Sequence, residues 1–205
     1  MNKKKYQEDI EHIHSMMERS SRFISLSGMS GIAAGVVALA AASVAYLIFE
    51  KNGIDYFKGS PINYSKELVY KLVITGIIAF LAALFSAIYF TVQKSRKNNL
   101  AIWNKLTRRL LLSLFLPLIS GGLFCLALFY HTQFVFVAPA TLIFYGLGLL
   151  NASKFTFSDI EYLAYCELVL GAAAMFFVGY GLIFWAVGFG VLHIIYGILV
   201  HRKYH

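Results

Sequence analysis

Glu167 and His193 are the residues whose types and spacing carry the most chemistry in this 205-residue chain. Each stands 13 positions from Tyr180, so a helical hairpin turning at Gly179-Tyr180-Gly181 brings the two to one depth. At ~1.5 Å of rise per residue that depth is roughly 20 Å from the turn. A carboxylate so far inside a bilayer costs about 2.5–3.5 kcal/mol, by the insertion scale for Asp, and is normally paired. An imidazole at the same level can accept that interaction and titrates near neutral pH. Three readings stand: an internal hydrogen bond that glues the bundle, a site that handles protons or ions, or separate partners for the two residues in this or another topology. Tyr196 lies on the His193 face and is placed to join the polar cluster, with Phe189, Gly190 and Gly197 as neighbours. On the Glu167 face, Ala164 and Gly171 are small enough to leave room for a partner.

The other candidates carry less. Cys125 and Cys166 fall at different depths, which argues against a disulfide, and a lone intramembrane Cys behaves as a small hydrophobe. The pairs His12/His14 and His201/His205 have no acid or thiol to complete a metal site. The sequence contains no HExxH, GxSxG, P-loop or CxxC pattern. GFGVLH at 188–193 sits inside an apolar run, so its glycines thin a helix rather than cradle a phosphate. The reading leans away from an enzyme and expects neither metal nor cofactor.

These residues must be positioned by elements built for lipid. The chain is 59% hydrophobic and 14% charged, whereas soluble domains carry roughly 45–50% apolar and about 25% charged residues. No interior of this size hides that excess. Phe23–Phe49 has no charge and is far longer than the apolar core of a signal peptide, so it reads as a retained first span. Within it Ser27, Gly31 and Gly35, continued by Ala38 and Ala42, form a row of small residues that admits another helix closely. Span 2 covers Leu68–Val92. The 44 uncharged residues from Leu110 to Ser153 make two spans broken at His131-Thr132-Gln133, with Pro117 and Pro139 inside them. Leu168–Val200, at 33 residues, is too short for two spans; starting at Ile160 suffices and draws Glu167 into the bilayer. Asp159 is placed as a helix N-cap.

The expected fold class is therefore all-α: a polytopic transmembrane bundle of six spans arranged as three sequential antiparallel hairpins. Residues 1–22 form a cytoplasmic amphipathic segment, with Tyr6, Ile10, Ile13 and Met17 on one helical face. Residues 23–200 form the membrane domain and 201–205 a cytoplasmic tail. Of the 18 Lys and Arg residues, 14 fall in the N-terminus, the 93–109 loop, the 151–159 loop and the C-terminus. That bias places both termini in the cytoplasm of a multi-pass protein of the cell (inner) membrane. Lys94, Arg96, Lys97, Lys105, Arg108 and Arg109 have no acid among them and form a basic cytoplasmic surface. Leu100, Trp103, Leu106 and Leu110 recur beside them at helical spacing, so part of this loop is expected to lie in the interface. With cations set between apolar runs, the net charge of +8 points to anionic lipid headgroups rather than directly to nucleic acid.

MMERSSRFISLSG (Met16–Gly28) and GFGVLHIIYG (Gly188–Gly197) together resemble a family of small six-span bacterial membrane proteins with no established activity. Members of that family are often encoded beside a small winged-helix regulator. The resemblance implies a membrane partner for a cytoplasmic regulator. The functional expectation is a non-enzymatic sensor or adaptor acting with a cytoplasmic protein, through the N-terminal helix and the basic loop. A small proton- or ion-coupled transporter or channel using Glu167 and His193 is the alternative, and a homo-oligomer is compatible with either.

Overall fold

The computed structural model describes residues 27–54, 64–98, 102–156 and 158–204. These build α1 (Gly28–Lys51), α2 (Lys66–Lys97) and α3 (Lys105–Tyr130). A 3-10 turn (Phe134–Phe136) then opens α4 (Val137–Ser153), and α5 (Asp159–Phe176) follows. The last helix has three parts: α6 (Gly181–Trp185), a π-helical stretch (Ala186–Leu192) and α7 (His193–Tyr204). No strand occurs among the described residues. Helices suit lipid, since bonding within each helix satisfies its backbone groups there. Five helices are long and apolar enough to cross a membrane: α1, α2, α3, Phe134–Ser153 and the composite Gly181–Lys203. α5 spans 18 residues but carries Asp159, Glu161 and Glu167. The expected amphipathic helix within 1–22, and residues 23–26 of the first span, lie outside the described residues.

Helix ends follow local chemistry. The Ser65 hydroxyl accepts from Leu68 N at 3.2 Å to cap α2, and Asn104 Oδ1 accepts from Thr107 N at 2.8 Å to cap α3. The chain turns at Thr132 (φ 57°) between α3 and α4, and at Gly179 (φ 100°) between α5 and α6. Both are left-handed positions, and at Gly179 the missing Cβ removes the strain. Asp159 is not the N-cap: Ser158 precedes α5 without a side-chain cap bond, and Asp159 takes the first turn. There its two oxygens accept from Lys203 Nζ at 2.8 and 3.1 Å. That ion pair holds the start of α5 and the end of the last helix on one side of the bundle.

Most of the basic stretch 93–109 is helical, and residues 99–101, Leu100 among them, lie outside the described residues. α2 continues through Lys97 and α3 begins at Lys105, so Lys94, Arg96 and Lys97 ride one helix end while Lys105, Arg108 and Arg109 ride the next. Lys94 is buried beside Ser95, and the other five cations are exposed. Leu106 and Leu110 pack inward with Leu114 and Phe155 around Ala152, while Trp103 is exposed. Cations at the end of α2 suit its dipole; those at the start of α3 oppose it, so helix electrostatics alone do not account for them.

α1 packs on α2, and α3 on α4. The closing pair is arranged differently: α5 lies chiefly against α4, and the last helix chiefly against α1. Glycines set that second contact. A Cβ on Gly28 would fall 2.5 Å from Gly197 O, and one on Gly35 would fall 2.6 Å from Gly190 O. Outward faces of α2 and α3 expose Ile78, Leu81, Phe85, Leu116 and Leu123, surface that only lipid solvates without cost. Pro117 lacks the N–H that would bind the Ser113 carbonyl one turn back, and Asn151 Nδ2 of α4 donates to that carbonyl at 3.0 Å. Pro139 lies in the first turn of α4, where a missing N–H costs little.

Candidate functional site: a buried carboxylate and imidazole

α5 and the last helix bring Glu167 and His193 together in the protein interior. Glu167 has 0% exposure and His193 5%. Glu167 Oε1 stands 3.5 Å from His193 Nδ1. That is an electrostatic contact rather than a hydrogen bond, and neither carboxylate oxygen of Glu167 has a hydrogen-bond partner.

The imidazole, in contrast, is bonded at both nitrogens. His193 Nδ1 lies 3.0 Å from Gly188 O. A carbonyl oxygen only accepts, so Nδ1 carries a proton and donates. Nε2 lies 2.8 Å from the Tyr145 hydroxyl, which donates to it when the ring is neutral. On a second proton the roles at Nε2 reverse: the imidazolium donates and the Tyr145 oxygen accepts. The same three groups therefore accommodate either charge state of the ring without moving. The ring also packs against Tyr145 and Phe189, with centroids 5.4 and 6.0 Å away, and Trp185 extends the stack through Phe189 at 5.1 Å.

Backbone geometry makes this possible. The helix widens to π over Ala186–Leu192, and Gly188 sits in that turn, five residues before the imidazole it binds. A Cβ on Gly188 would fall 2.6 Å from Glu167 Oε2 and 2.6 Å from Leu142 Cδ2. The missing side chain is what leaves space for the carboxylate. π turns are uncommon in helices and recur at functional positions.

Several expectations are corrected. Ala164 and Gly171 open no space for a polar partner; α4 fills it, with Gly146 against the Ala164 carbonyl and Leu142 and Ile143 against Gly171. Tyr196 packs with the cluster of Leu149, Ile160, Leu163 and Ala164, and the hydroxyl on His193 Nε2 is that of Tyr145. Tyr145 lay in an uncharged span 48 positions away, and no spacing signal pointed to it. Cys125 is buried and Cys166 exposed, each a free thiol. His12, His14 and His205 lie outside the described residues. Compared with protein-family models, with curated proteins and with solved structures, the chain matches none.

Proposed function

We propose that this helical membrane protein is a non-enzymatic sensor or adaptor whose switching element is the Glu167–His193 pair. In this reading it crosses the bacterial inner membrane six times, with α5 as a span and both termini cytoplasmic. It passes its state to a cytoplasmic, regulatory protein. The observation that carries the proposal is a fully buried carboxylate without a hydrogen bond, 3.5 Å from an imidazole that is bonded at both nitrogens. Unsatisfied buried polar groups are rare and call for an explanation. A pair with two protonation states, one an ion pair and one neutral, supplies it. His193 stands on the helix that packs on α1, and α1 leads back to the cytoplasmic N-terminal segment, so a change in the pair has a mechanical route outward. The exposed cations Arg96, Lys97, Lys105, Arg108 and Arg109 supply a surface for anionic lipid or an acidic partner.

A second reading, a proton- or ion-coupled transporter, is favoured by the π turn at Gly188, since interrupted helices mark transport sites in membranes. One experiment separates the two. In a Trp103→Phe background Trp185 is the one tryptophan, its ring 5.1 Å from that of Phe189 beside His193. The sensor reading expects pH-dependent Trp185 emission in proteoliposomes, its loss in Glu167→Gln, and no proton flux in either protein. pH-invariant emission in the unsubstituted pair would sink it; a proton flux abolished by Glu167→Gln would establish the transporter.

A further inference from the structure

A groove of about 740 Å³ opens on the side of the bundle between α3, α4 and the start of α5, away from the Glu167–His193 pair. Toward one end it is mostly apolar, lined by Leu116, Pro117, Phe144 and Leu147 with Ser120. Its other end, at the α4–α5 connection, presents Lys154, Ser158 and Glu161. Phe144, on the groove wall, packs on Phe124 of α3, ring to ring at 5.5 Å. Volumes of this order belong to sites for small organic ligands.

Three features identify the ligand class. The first is length: from Phe144 to Ser153 α4 rises about 14 Å at ~1.5 Å per residue, close to half the ~30 Å hydrocarbon thickness. The α4 stretch along the groove is about as long as a single leaflet is thick. Second, it is open sideways along a surface already facing lipid, for Leu116 is 69% exposed and Leu147 is 41% exposed. The third is charge. Lys154 has no ion-pair partner among the described residues, and Glu161 accepts only from the Tyr165 hydroxyl, at 2.7 Å. One cation and one carboxylate at the polar mouth complement a headgroup with one phosphate and one ammonium. A headgroup bearing only negative charge would meet Glu161 as well as Lys154. On the groove wall Pro117 leaves the Ser113 carbonyl free, and Asn151 binds it and fixes α3 against α4 at that level.

We propose that this groove is a binding site for a zwitterionic aminophospholipid of the cytoplasmic leaflet. The acyl chain lies along Leu116, Phe144 and Leu147, the phosphate meets Lys154, and the ammonium meets Glu161. The site is separate from the switching pair and does not depend on it.

Delipidated protein, reloaded with equimolar phosphatidylethanolamine and phosphatidylglycerol and examined by native mass spectrometry, tests the assignment. Preferential retention of phosphatidylethanolamine is expected. Lys154→Ala should lower that retention about fivefold, Glu161→Gln should erase the preference between the two lipids, and Leu147→Trp should block retention by filling the groove. All three positions are partly or fully exposed, and monodisperse elution with unchanged helicity shows that each variant is folded. Equal retention of both lipids, preference for phosphatidylglycerol, or retention unaffected by Leu147→Trp would each overturn the proposal.

Discussion

At the scale of single residues, Gly188 has the sharpest consequence. In a helix interior Gly is worth roughly 1 kcal/mol less than Ala, so propensity alone favours replacing it. Here the added Cβ meets a carboxylate oxygen and a leucine methyl at 2.6 Å, both held inside the bundle. Overpacking of this kind typically costs about 1–3 kcal/mol, so the clash outweighs the propensity gain. Gly188→Ala is expected to lower thermal stability in detergent. Gly122→Ala, where a Cβ meets nothing within 4 Å, is expected to be neutral or to raise it. Thermal unfolding of the two variants side by side checks the contrast, and equal midpoints would mean that Gly188 does not hold space for Glu167.

At the scale of elements, the proline in α3 and a side chain of α4 form one device. Pro117 frees the Ser113 carbonyl, and Asn151 binds it from the neighbouring helix. Interhelical hydrogen bonds in membranes average about 0.6 kcal/mol and reach ~1.7 kcal/mol. Asn151→Ala should cost an amount in the upper part of that range, because no backbone N–H can replace the lost donor. With Pro117→Ala in place, the helix regains its own N–H donor and the same Asn151→Ala change should cost less. A double-mutant cycle measured by thermal or chemical unfolding gives the coupling; additive effects would contradict the device. The apolar spans contain Pro117 and Asn151 plainly enough, but their partnership crosses 34 positions through the rotation of two helices, and hydropathy does not encode rotation.

At the scale of the whole molecule, the bias of Lys and Arg toward alternate connections predicts one topology. Single-Cys variants at positions 97, 154 and 203 should label from the cytoplasmic side, and one at 58 from outside. Labelling of position 203 only from outside would exclude the six-span arrangement. The Asp159–Lys203 ion pair already holds the start of α5 and the end of the last helix together, so positions 154 and 203 should respond alike. A split between them would contradict the placement of the start of α5 and the end of the last helix on one side.

Several features were legible from the chain alone. Its membrane character, the turns at His131-Thr132-Gln133 and Gly179, and the meeting of Glu167 with His193 all follow from local quantities: apolar run length, breaker residues and equal distance from a turn. Solvent sets those quantities, since lipid accepts apolar runs and rejects charges whatever the neighbours are. Other features depended on which helices touch and how each is rotated. Tyr145 on His193, α4 rather than a polar group beside Ala164 and Gly171, and the last helix against α1 are of this kind. Helix contacts in lipid are selected by close backbone approach at small residues, and many glycine and alanine faces along these spans are equally permissive. Only the assembled bundle selects among them, and with that choice it decides which hydroxyl reaches the imidazole and leaves the Glu167 carboxylate without a hydrogen bond.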